Sequence, residues 1–511
     1  MIAAVFIRKA AMPPGAESRA RALILPEMRL VPARIVRFFF FPPTRVDRES
    51  GLASQAPPRR QDLWKTSSEE VPTMSAKSLL CPLPASLALL LAGAHFWRAG
   101  LSALSLGCAL LALLAWTRGA WVRQFLLLVL PLLAARWIWT AGQFVKLRQF
   151  MEQPWHRLAA ILLGVALFTA LAALPLLSGR ARARYALRQD CAGTQLAALI
   201  LTSGILAVVW TLVPGIFVLE RFAPGWGPAQ VFLPGLWAAW VAGRLADRRT
   251  APSTRLWTWR LFSLVFFGQL LLGFVLDSRF LLSGSPHLPV PGLILAAPLY
   301  RGGGYFMLIL FGVAVLLAGA AWCSQLCYFG VWDAGTAARG RPRPVPVWLP
   351  RLRLGLLGLT LLTPVALRLA GLPSVIALAC GLLLGLLLLV CAVLVSRRMG
   401  FGAYCLGVCP LGLVAGWLGR LSPWRVRRTD ACTRCKACVR VCRYGAMTEE
   451  NLSRAMPGPT CTLCRDCLSA CRQKALTFSL YGTKHYGPAV ESAFISQVVA
   501  LHAVFLALAR V

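Results

Sequence analysis

Two runs of four cysteines have the spacing that iron–sulfur chemistry requires. Both read C-x2-C-x2-C-x3-C, and they contain Cys432, Cys435, Cys438 and Cys442, then Cys461, Cys464, Cys467 and Cys471. Three cysteines at steps of three let one loop wrap a cubane, while the fourth, on the following helix, binds the neighbouring cubane. The spacing therefore predicts two [4Fe–4S] clusters, one held by Cys432, Cys435, Cys438 and Cys471 and one held by Cys461, Cys464, Cys467 and Cys442.

A zinc site is the alternative interpretation of clustered cysteines. A zinc ribbon uses two C-x2-C knuckles, whereas these runs contain triplets at steps of three. The bacterial ferredoxin run usually ends in Cys-Pro. Here Arg443 and Arg472 follow the fourth cysteine, so the turn lacks the fixed φ of proline. All eight ligands are present, and iron is the predicted metal.

Two further cysteine pairs, Cys323/Cys327 and Cys405/Cys409, stand in the motifs Cys-Ser-Gln-Leu-Cys and Cys-Leu-Gly-Val-Cys-Pro. On an α-helix, a spacing of four places both thiols on one face, and a disulfide within such a turn would be strained. We therefore expect each pair to act as metal ligands or as a dithiol. If the pairs meet, four thiolates suit a third cluster or another soft metal. The alternative is a set of buried apolar cysteines, as we expect for Cys81, Cys108, Cys191, Cys380 and Cys391.

The elements that must position these motifs are apolar. Hydrophobic residues make up 58% of the 511-residue chain, and the mean hydropathy is +0.66, values typical of membrane proteins. A helix crosses the hydrocarbon core with about 20 apolar residues. The sequence predicts an α-helical integral membrane protein with about ten transmembrane helices, at 79–97, 100–117, 124–142, 157–178, 196–219, 229–243, 258–276, 305–322, 354–371 and 375–395.

Charge sets the orientation of these predicted helices. The net charge is +36, from 54 Lys and Arg against 18 Asp and Glu. The bases concentrate in short loops at 179–195, 244–257 and 331–353, which favours membrane topology over nucleic-acid binding. Alternation through ten spans places these loops and the cysteine runs on one side. The positive-inside rule then predicts a multi-pass protein of the cell inner membrane with a cytoplasmic ferredoxin domain.

Four segments follow from these patterns. Residues 1–73, rich in Arg and Pro, are predicted to be a disordered tail or an over-extended gene start, with Met74 as the true start. Residues 74–419 are the polytopic transmembrane domain with the two C-x3-C pairs. Residues 420–482 are a small α+β two-cluster ferredoxin domain of the bacterial type. Residues 483–511 form a C-terminal membrane-associated helix, either an eleventh span or a helix in the interface.

The predicted ferredoxin domain is itself basic. Between Arg420 and Gly482 the chain has twelve Lys and Arg against four Asp and Glu. Two oxidised cubanes, each with four thiolate ligands and a charge of about −2, offset only part of this charge. Bases near a cluster favour its reduced form, and a basic face suits membrane lipid or a redox partner with an acidic docking face.

The combination resembles a known family. C-x3-C(P) elements at the ends of membrane helices, followed by a two-cluster ferredoxin, are similar to the NapH/NosR-type membrane polyferredoxins over residues 323–471. The resemblance implies electron transfer between a quinol pool or a cytoplasmic donor and a respiratory or maturation partner, with quinone as a ligand. The first pair departs from the pattern with Tyr328 in place of proline. The alternatives are a copper-handling or oxidoreductase assembly factor, and a redox sensor or scaffold. The sequence contains no evident nucleophile or acid–base pair, so an electron-transfer subunit is expected rather than a stand-alone enzyme.

Overall fold

The computed structural model describes residues 80–187, 189–213, 215–281, 290–341, 343–480 and 485–508. All of these belong to one compact unit. The predicted extension at 1–73 lies outside the described residues, so both interpretations of it stay predictions.

Helices make up most of the described chain. The helices before the first cysteine pair are α1 (Leu83–Arg98), α2 (Ser102–Leu114), α3 (Ala120–Phe150), α4 (His156–Leu171), α5 (Leu174–Leu177), α6 (Gly179–Arg184), α7 (Ala192–Leu212), α8 (Val218–Phe222), α9 (Gly227–Ala246), α10 (Ala251–Val275), α11 (Pro291–Arg301) and α12 (Phe306–Ala318). Those between the first pair and the ferredoxin runs are α13 (Gly330–Ala337), α14 (Leu349–Leu369), α15 (Ser374–Met399) and α16 (Pro410–Leu418). The remaining elements are β1 (Trp424–Arg428), α17 (Ala437–Val441), α18 (Glu449–Ser453), α19 (Asp466–Ala470), β2 (Leu476–Leu480) and α20 (Pro488–Leu508).

Eight helical segments of the described chain are long and apolar enough to cross a membrane. They are Ala120–Phe150, His156–Leu177, Gln189–Leu212, Ala251–Val275, Phe306–Leu326, Leu349–Leu369, Ser374–Met399 and Pro488–Leu508. The described chain is thus mostly helical, with eight candidate spans and a small two-stranded ferredoxin domain. Membrane insertion and the count of ten spans stay predictions.

The predicted and observed helices differ in identifiable places. Helices α1 and α2, with 16 and 13 residues, are shorter than the roughly 20 residues that a span requires. The predicted span 196–219 is wrong at its C-terminal end, because α7 ends at Leu212 and Gly215 takes a left-handed φ of 71°, a conformation that glycine adopts without strain. Helix α11 was missed in the predicted loop 277–304, because it contains Pro291 and Pro298.

The C-terminal helix joins the bundle to the ferredoxin domain. Helix α20 packs along α7 and α9, and Phe494 and Ala503 are fully buried. Strands β1 and β2 pair antiparallel, with Trp424 opposite Leu480 and Arg428 opposite Leu476. The ring of Phe478 on β2 stacks on Phe494 at 4.2 Å. The two-stranded sheet therefore rests on the same helix that the bundle surrounds.

Candidate iron–sulfur site

The two ferredoxin runs fold into the same backbone shape. The residues on either side of the middle cysteine have left-handed φ angles in both runs, at Arg434 (54°) and Lys436 (57°) in the first and at Leu463 (51°) and Arg465 (71°) in the second. Non-glycine residues rarely adopt this conformation. Alternating left-handed residues turn successive backbone N–H groups into a concave anion-binding nest, which suits a cluster with a net negative charge.

Equivalent hydrogen bonds tie the segment before each run to the segment after the other. The backbone N–H of Thr429 donates to the carbonyl oxygen of Ala475 at 2.8 Å, and that of Gly458 donates to Ala446 at 2.7 Å. Each of these positions in the first run lies 29 residues before its counterpart in the second, as Cys432 does before Cys461. The duplicated sequence thus produces a pseudo-symmetric frame in which each run closes over the other.

Two cavities separate the eight cysteines into the predicted groups. One cavity is lined by Cys432, Cys435, Cys438 and Cys471. The other is lined by Cys442, Cys461, Cys464 and Cys467. In each cavity three cysteines come from one loop and the fourth comes from the other run, as a pair of cubanes requires. The residues therefore fit two [4Fe–4S] clusters, and the ligand assignment itself stays a prediction.

The thiols of the second loop lie in surroundings that oppose thiolate formation. Burial raises the pKa of Cys461 to about 12, and it raises the pKa of Cys464 and Cys467 well above the usual range. A buried thiolate is costly unless a cation compensates for its charge, and a metal deprotonates a coordinating thiol outright. A backbone N–H group also stabilises negative charge on a cysteine sulfur, since Met447 donates to the Cys442 sulfur at 3.4 Å.

The described side chains do not form a site for a single metal ion. No group of three or more His, Cys, Asp or Glu side chains within them converges closely enough to bind one ion. A cubane differs from a single ion because it binds its four thiolates at separate corners. Eight cysteines that surround two cavities without converging are therefore compatible with two such clusters.

The two loops differ in their exposure to solvent. In the first loop, residues 433–436 are all exposed, and Cys435 is among them. In the second loop, no residue from 461 to 467 is exposed. The difference arises because the second loop faces the helical bundle. Of the two cysteine loops, the first is thus the one that another protein can approach.

Buried polar contacts fix the second loop to the bundle. Arg255 on α10 donates to Asp466 at 2.8 Å and to the carbonyl oxygen of Ser324 at 3.1 Å. The Ser324 hydroxyl in turn donates to the carbonyl oxygen of Thr462 at 2.7 Å. Thr462 and Asp466 lie inside the second cysteine run, and Ser324 lies inside the first cysteine pair. These contacts join the candidate cluster site to the C-x3-C pair.

A second ion-pair group lies beside the first. Arg465, directly after Cys464, contacts Glu491 on α20 at 2.5 Å and donates to the carbonyl oxygen of Leu245 at 2.8 Å. Arg248 contacts the other oxygen of Glu491 at 2.8 Å. The side chains of Arg465 and Glu491 are at least nine-tenths buried. Removal of one partner of a buried ion pair is strongly destabilising, so this group holds the loop against α9 and α20.

Arg443 occupies the position where the usual ferredoxin run has proline. Its guanidinium donates to the carbonyl oxygens of Ala337, Gly340 and Gly400, at 3.2, 3.2 and 2.8 Å. Proline has no side-chain donor and could make none of these bonds. The substitution therefore anchors the ferredoxin domain to the ends of α13 and α15. Arg472, at the equivalent position of the second run, is exposed.

The cysteine pairs do not lie on regular α-helical turns, so the prediction that each pair shares one face of an α-helix is wrong. Both occupy π-helical turns, Trp322–Leu326 and Tyr404–Val408. The second cysteine of each pair is extended, and its N–H bonds five residues back, from Cys327 to Trp322 at 2.9 Å and from Cys409 to Tyr404 at 2.8 Å. Short π-helical segments are rare and frequently occur at functional sites. A spacing of four does not align the two thiols here, because the chain departs from the ordinary α-helical repeat at both pairs.

The two pairs meet in the bundle. Buried Cys409 shares one apolar cluster with Cys323, Cys327 and Cys405. Burial raises the pKa of the Cys405 thiol well above its usual range, and the charges of Asp333 and of the other three thiols raise it further. Of the five remaining cysteines, Cys81 and Cys108 are buried as expected, whereas the expectation is wrong for Cys191, which is only partly buried, and for Cys380, which is exposed on α15. The side chain of Cys391 lies outside the described part of the chain.

Several residues that build this region were not identified from the sequence. Fully buried Asp333 accepts the backbone N–H of Cys405 at 3.0 Å and the hydroxyl of Ser396 at 2.5 Å. Arg353 donates to the carbonyl oxygen of Cys409 at 3.1 Å. Tyr444 belongs to an apolar cluster that also contains Cys405, Cys442 and Cys464. No spacing in the sequence relates these residues, because the contacts join segments that are far apart in the chain.

Comparison with known families identifies the domain that carries the eight cysteines. Residues 431–476 match the 4Fe-4S dicluster domain, and the match includes both cysteine runs. The chain therefore contains a ferredoxin-type iron–sulfur domain, whose chemistry is electron transfer. No curated protein and no solved structure gives a significant match to the chain.

Proposed function

We propose that this protein is a multi-pass inner-membrane iron–sulfur protein that transfers electrons between a quinol pool or a cytoplasmic donor and a respiratory or maturation partner. The observation that carries the proposal is the asymmetry of the ferredoxin domain. Its second cysteine loop is fixed to the apolar bundle by Arg255 and Ser324, while its first loop, with Cys435, is exposed. A ferredoxin domain with this arrangement has one cysteine loop open to a redox partner and the other loop against the bundle.

The chain's own residues would hold two clusters in this scheme. Cys432, Cys435, Cys438 and Cys471 line one cavity, and Cys442, Cys461, Cys464 and Cys467 line the other. A bound [4Fe–4S] cluster supplies reversible one-electron chemistry at a potential set by hydrogen bonds and burial. The left-handed nest of each loop and the ion pairs of the second loop would keep each site shaped for its cluster.

Membrane location and orientation are supported by the placement of the arginines. Eight helical segments of the described chain are apolar enough to span. Two of the Arg-rich loops contact the ferredoxin domain directly. Arg248 and Arg255 reach it from 244–257, and the carbonyl oxygen of Gly340, in 331–353, accepts from Arg443. Basic loops mark the cytoplasmic side, so the ferredoxin domain would lie in the cytoplasm.

The exposed first loop is suited to an acidic redox partner. Arg434, Lys436 and Arg440 are exposed in the same short segment as Cys435, and Lys436 pairs with exposed Glu449 at 2.7 Å. Exposed charges steer association through a field that salt screens over about 8 Å at physiological ionic strength. Reduction of the protein by a small acidic carrier should therefore slow as ionic strength rises.

Membership of the NapH/NosR-type polyferredoxins is part of the proposal. The ferredoxin-domain match and the meeting of the two cysteine pairs support it. The copper-handling and sensor alternatives predict different behaviour. A sensor would not pass electrons on, and a copper-handling factor would change the copper content of a partner oxidase when Cys323 or Cys405 is replaced.

EPR spectroscopy of membrane vesicles that contain the full-length protein tests the proposed function. We expect reduced quinol or an acidic electron carrier to reduce the clusters, and an added acceptor to reoxidise them. A Cys435→Ser and Cys464→Ser double variant controls for other iron proteins in the vesicles. Clusters that only dithionite reduces, and that no acceptor reoxidises with turnover, would contradict electron transfer and favour the sensor alternative. Recovery of the protein in the alkaline-wash supernatant would contradict membrane integration.

A further inference from the structure

Two short segments of the bundle have the same local structure. Each begins with a π-helical turn, places a cysteine second in that turn, and ends in an extended cysteine that precedes a helix. Cys327 has φ −81° and ψ 112°, and Cys409 has φ −72° and ψ 111°. The Cys409 sulfur accepts the backbone N–H of Gly412 in the first turn of α16, at 3.4 Å. A helix N-terminus favours a thiolate at this position.

Charged and polar groups hold the second segment in place. Asp333, which is fully buried, accepts the backbone N–H groups of Tyr404 and Cys405 at 3.2 and 3.0 Å. Arg353, buried as well, donates to the carbonyl oxygen of Cys409. A buried carboxylate and a buried guanidinium are costly in an apolar bundle. Their use to orient two cysteines indicates that the thiol positions matter beyond packing.

Three simpler roles fit these four cysteines less well. Buried apolar cysteines need no rare backbone turn, and Cys81 and Cys108 are buried without one, Cys108 on an ordinary helix. A single ion needs thiolates about 2.3 Å away, and no three described side chains converge in that way. A disulfide within either pair would close a strained five-residue turn. The ferredoxin cysteines show the same pattern of grouping without convergence, and their ligand is polynuclear.

We propose that Cys323, Cys327, Cys405 and Cys409 ligate a third iron–sulfur cluster, at the end of the helical bundle. Soft thiolate ligands select iron–sulfur clusters among a small set of metals. The positive charge of Arg353 would offset part of the negative charge of four thiolates around iron. The role of this cluster as a further redox centre rests on the proposed function, but its existence does not.

The ferredoxin domain is placed to exchange electrons with this site. Tyr444 is buried in the apolar cluster that contains Cys405 on one side of the interface and Cys442 and Cys464 on the other. Ser324, between Cys323 and Cys327, bonds the carbonyl oxygen of Thr462, between Cys461 and Cys464. The candidate site is thus next to the second ferredoxin cavity.

Iron and acid-labile sulfide analysis of anaerobically purified full-length protein tests the proposal. Two ferredoxin clusters account for about eight irons per chain. We expect about ten or about twelve, for a two-iron or four-iron third cluster. A Cys405→Ser and Cys409→Ser double variant should return to about eight irons with both ferredoxin EPR signals unchanged. The matched control is a Cys81→Ser and Cys108→Ser double variant, which should keep the wild-type iron content.

The converse variant shows whether loss of iron reflects loss of ligands or misfolding. The Cys435→Ser and Cys464→Ser double variant should lose the ferredoxin iron. It should keep about two to four iron atoms, as one further cluster requires, and these should give their own EPR signal. About eight irons in the wild type, unchanged when Cys405 and Cys409 are replaced, would overturn the third cluster and leave the proposed function intact. Iron far below eight with no sulfide would instead contradict the two-cluster ferredoxin itself. Copper or zinc bound by the four cysteines, in place of the additional iron, would overturn the proposal in favour of another soft metal.

Discussion

The hydroxyl of Ser324 donates a hydrogen bond to the carbonyl oxygen of Thr462 at 2.7 Å, and Ser324 has no solvent exposure. Ser324 lies between the cysteines of a helical-bundle pair, and Thr462 lies between two cysteines of a ferredoxin loop. A direct bond of this kind fixes the distance between two groups of thiols that the chain places far apart. The arrangement supports an electron-transfer protein in which the ferredoxin domain and the bundle work as one unit.

Replacement of Ser324 by alanine tests this bond. The change leaves a buried carbonyl oxygen without its donor, which costs about 1–3 kcal/mol of stability. We expect a lower thermal unfolding temperature and an altered EPR line shape for the cluster at Cys461, Cys464 and Cys467, while the signal of the exposed first-loop cluster stays unchanged. Ser253→Ala is the matched control, because its hydroxyl bonds the nearby Thr250 carbonyl oxygen in an exposed position. Equal spectra for Ser324→Ala and wild type would show that the bond does not shape the site.

The Arg255–Asp466 ion pair gives a second prediction. Their side chains are 6% and 22% exposed, so loss of one partner leaves a poorly solvated charge and should cost about 3–5 kcal/mol. Asp466→Asn and Arg255→Met should each destabilise the docked domain, and the double variant should cost less than the sum of the two. A double-mutant cycle from unfolding measurements gives the coupling. Additive effects would mean that the pair does not act as a unit.

Arg443 and Arg472 provide an internal comparison, since they occupy equivalent positions of the two runs. Arg443→Met removes a charged donor from three carbonyl oxygens, at a cost of about 1.5–3 kcal/mol or more. Hydrogen exchange should accelerate around Ala337 and Gly400 in this variant. Arg472→Met, at an exposed position, should leave exchange unchanged. Similar exchange in both variants would contradict the anchoring role.

Chelation of iron should proceed in two phases. Residues 433–436 are exposed and residues 461–467 are not, so a chelator reaches the cluster of the first loop more easily. We expect the EPR signal that Cys435→Ser abolishes to disappear first during incubation of the wild-type protein with a ferrous chelator. Loss of both signals in one phase, or loss of the covered cluster first, would show that the second loop is not protected by the bundle.

The sequence was most informative where the ligand spacing is itself the chemistry. Steps of three between cysteines predicted two clusters, and the structure gathers the same groups of four around two cavities. Apolar run length also located most of the long helices. It failed at Pro298, where a short helix contains proline, and at Gly215, where a left-handed residue ends a predicted span. Hydropathy averages do not register such local backbone effects.

Tertiary contacts were beyond the reach of spacing arguments. Nothing around Asp333 or Tyr444 marks them as neighbours of Cys405, because these contacts join segments that are distant in the chain. From the sequence, Arg443 shows only that a proline is absent, whereas in the structure its guanidinium donates to three carbonyl oxygens. A charged residue in place of a rigid one gains its role only from what the fold brings near it.

EPR spin quantitation of dithionite-reduced full-length protein, with iron and sulfide analysis, tests the central claim most directly. We predict two ferredoxin [4Fe–4S] signals in the wild type. Cys435→Ser should abolish one signal, Cys464→Ser should abolish the other, and each variant should retain the signal that the other loses. Zinc in place of iron, or an identical loss of both signals in the two variants, would contradict a two-cluster ferredoxin with one exposed and one bundle-facing site.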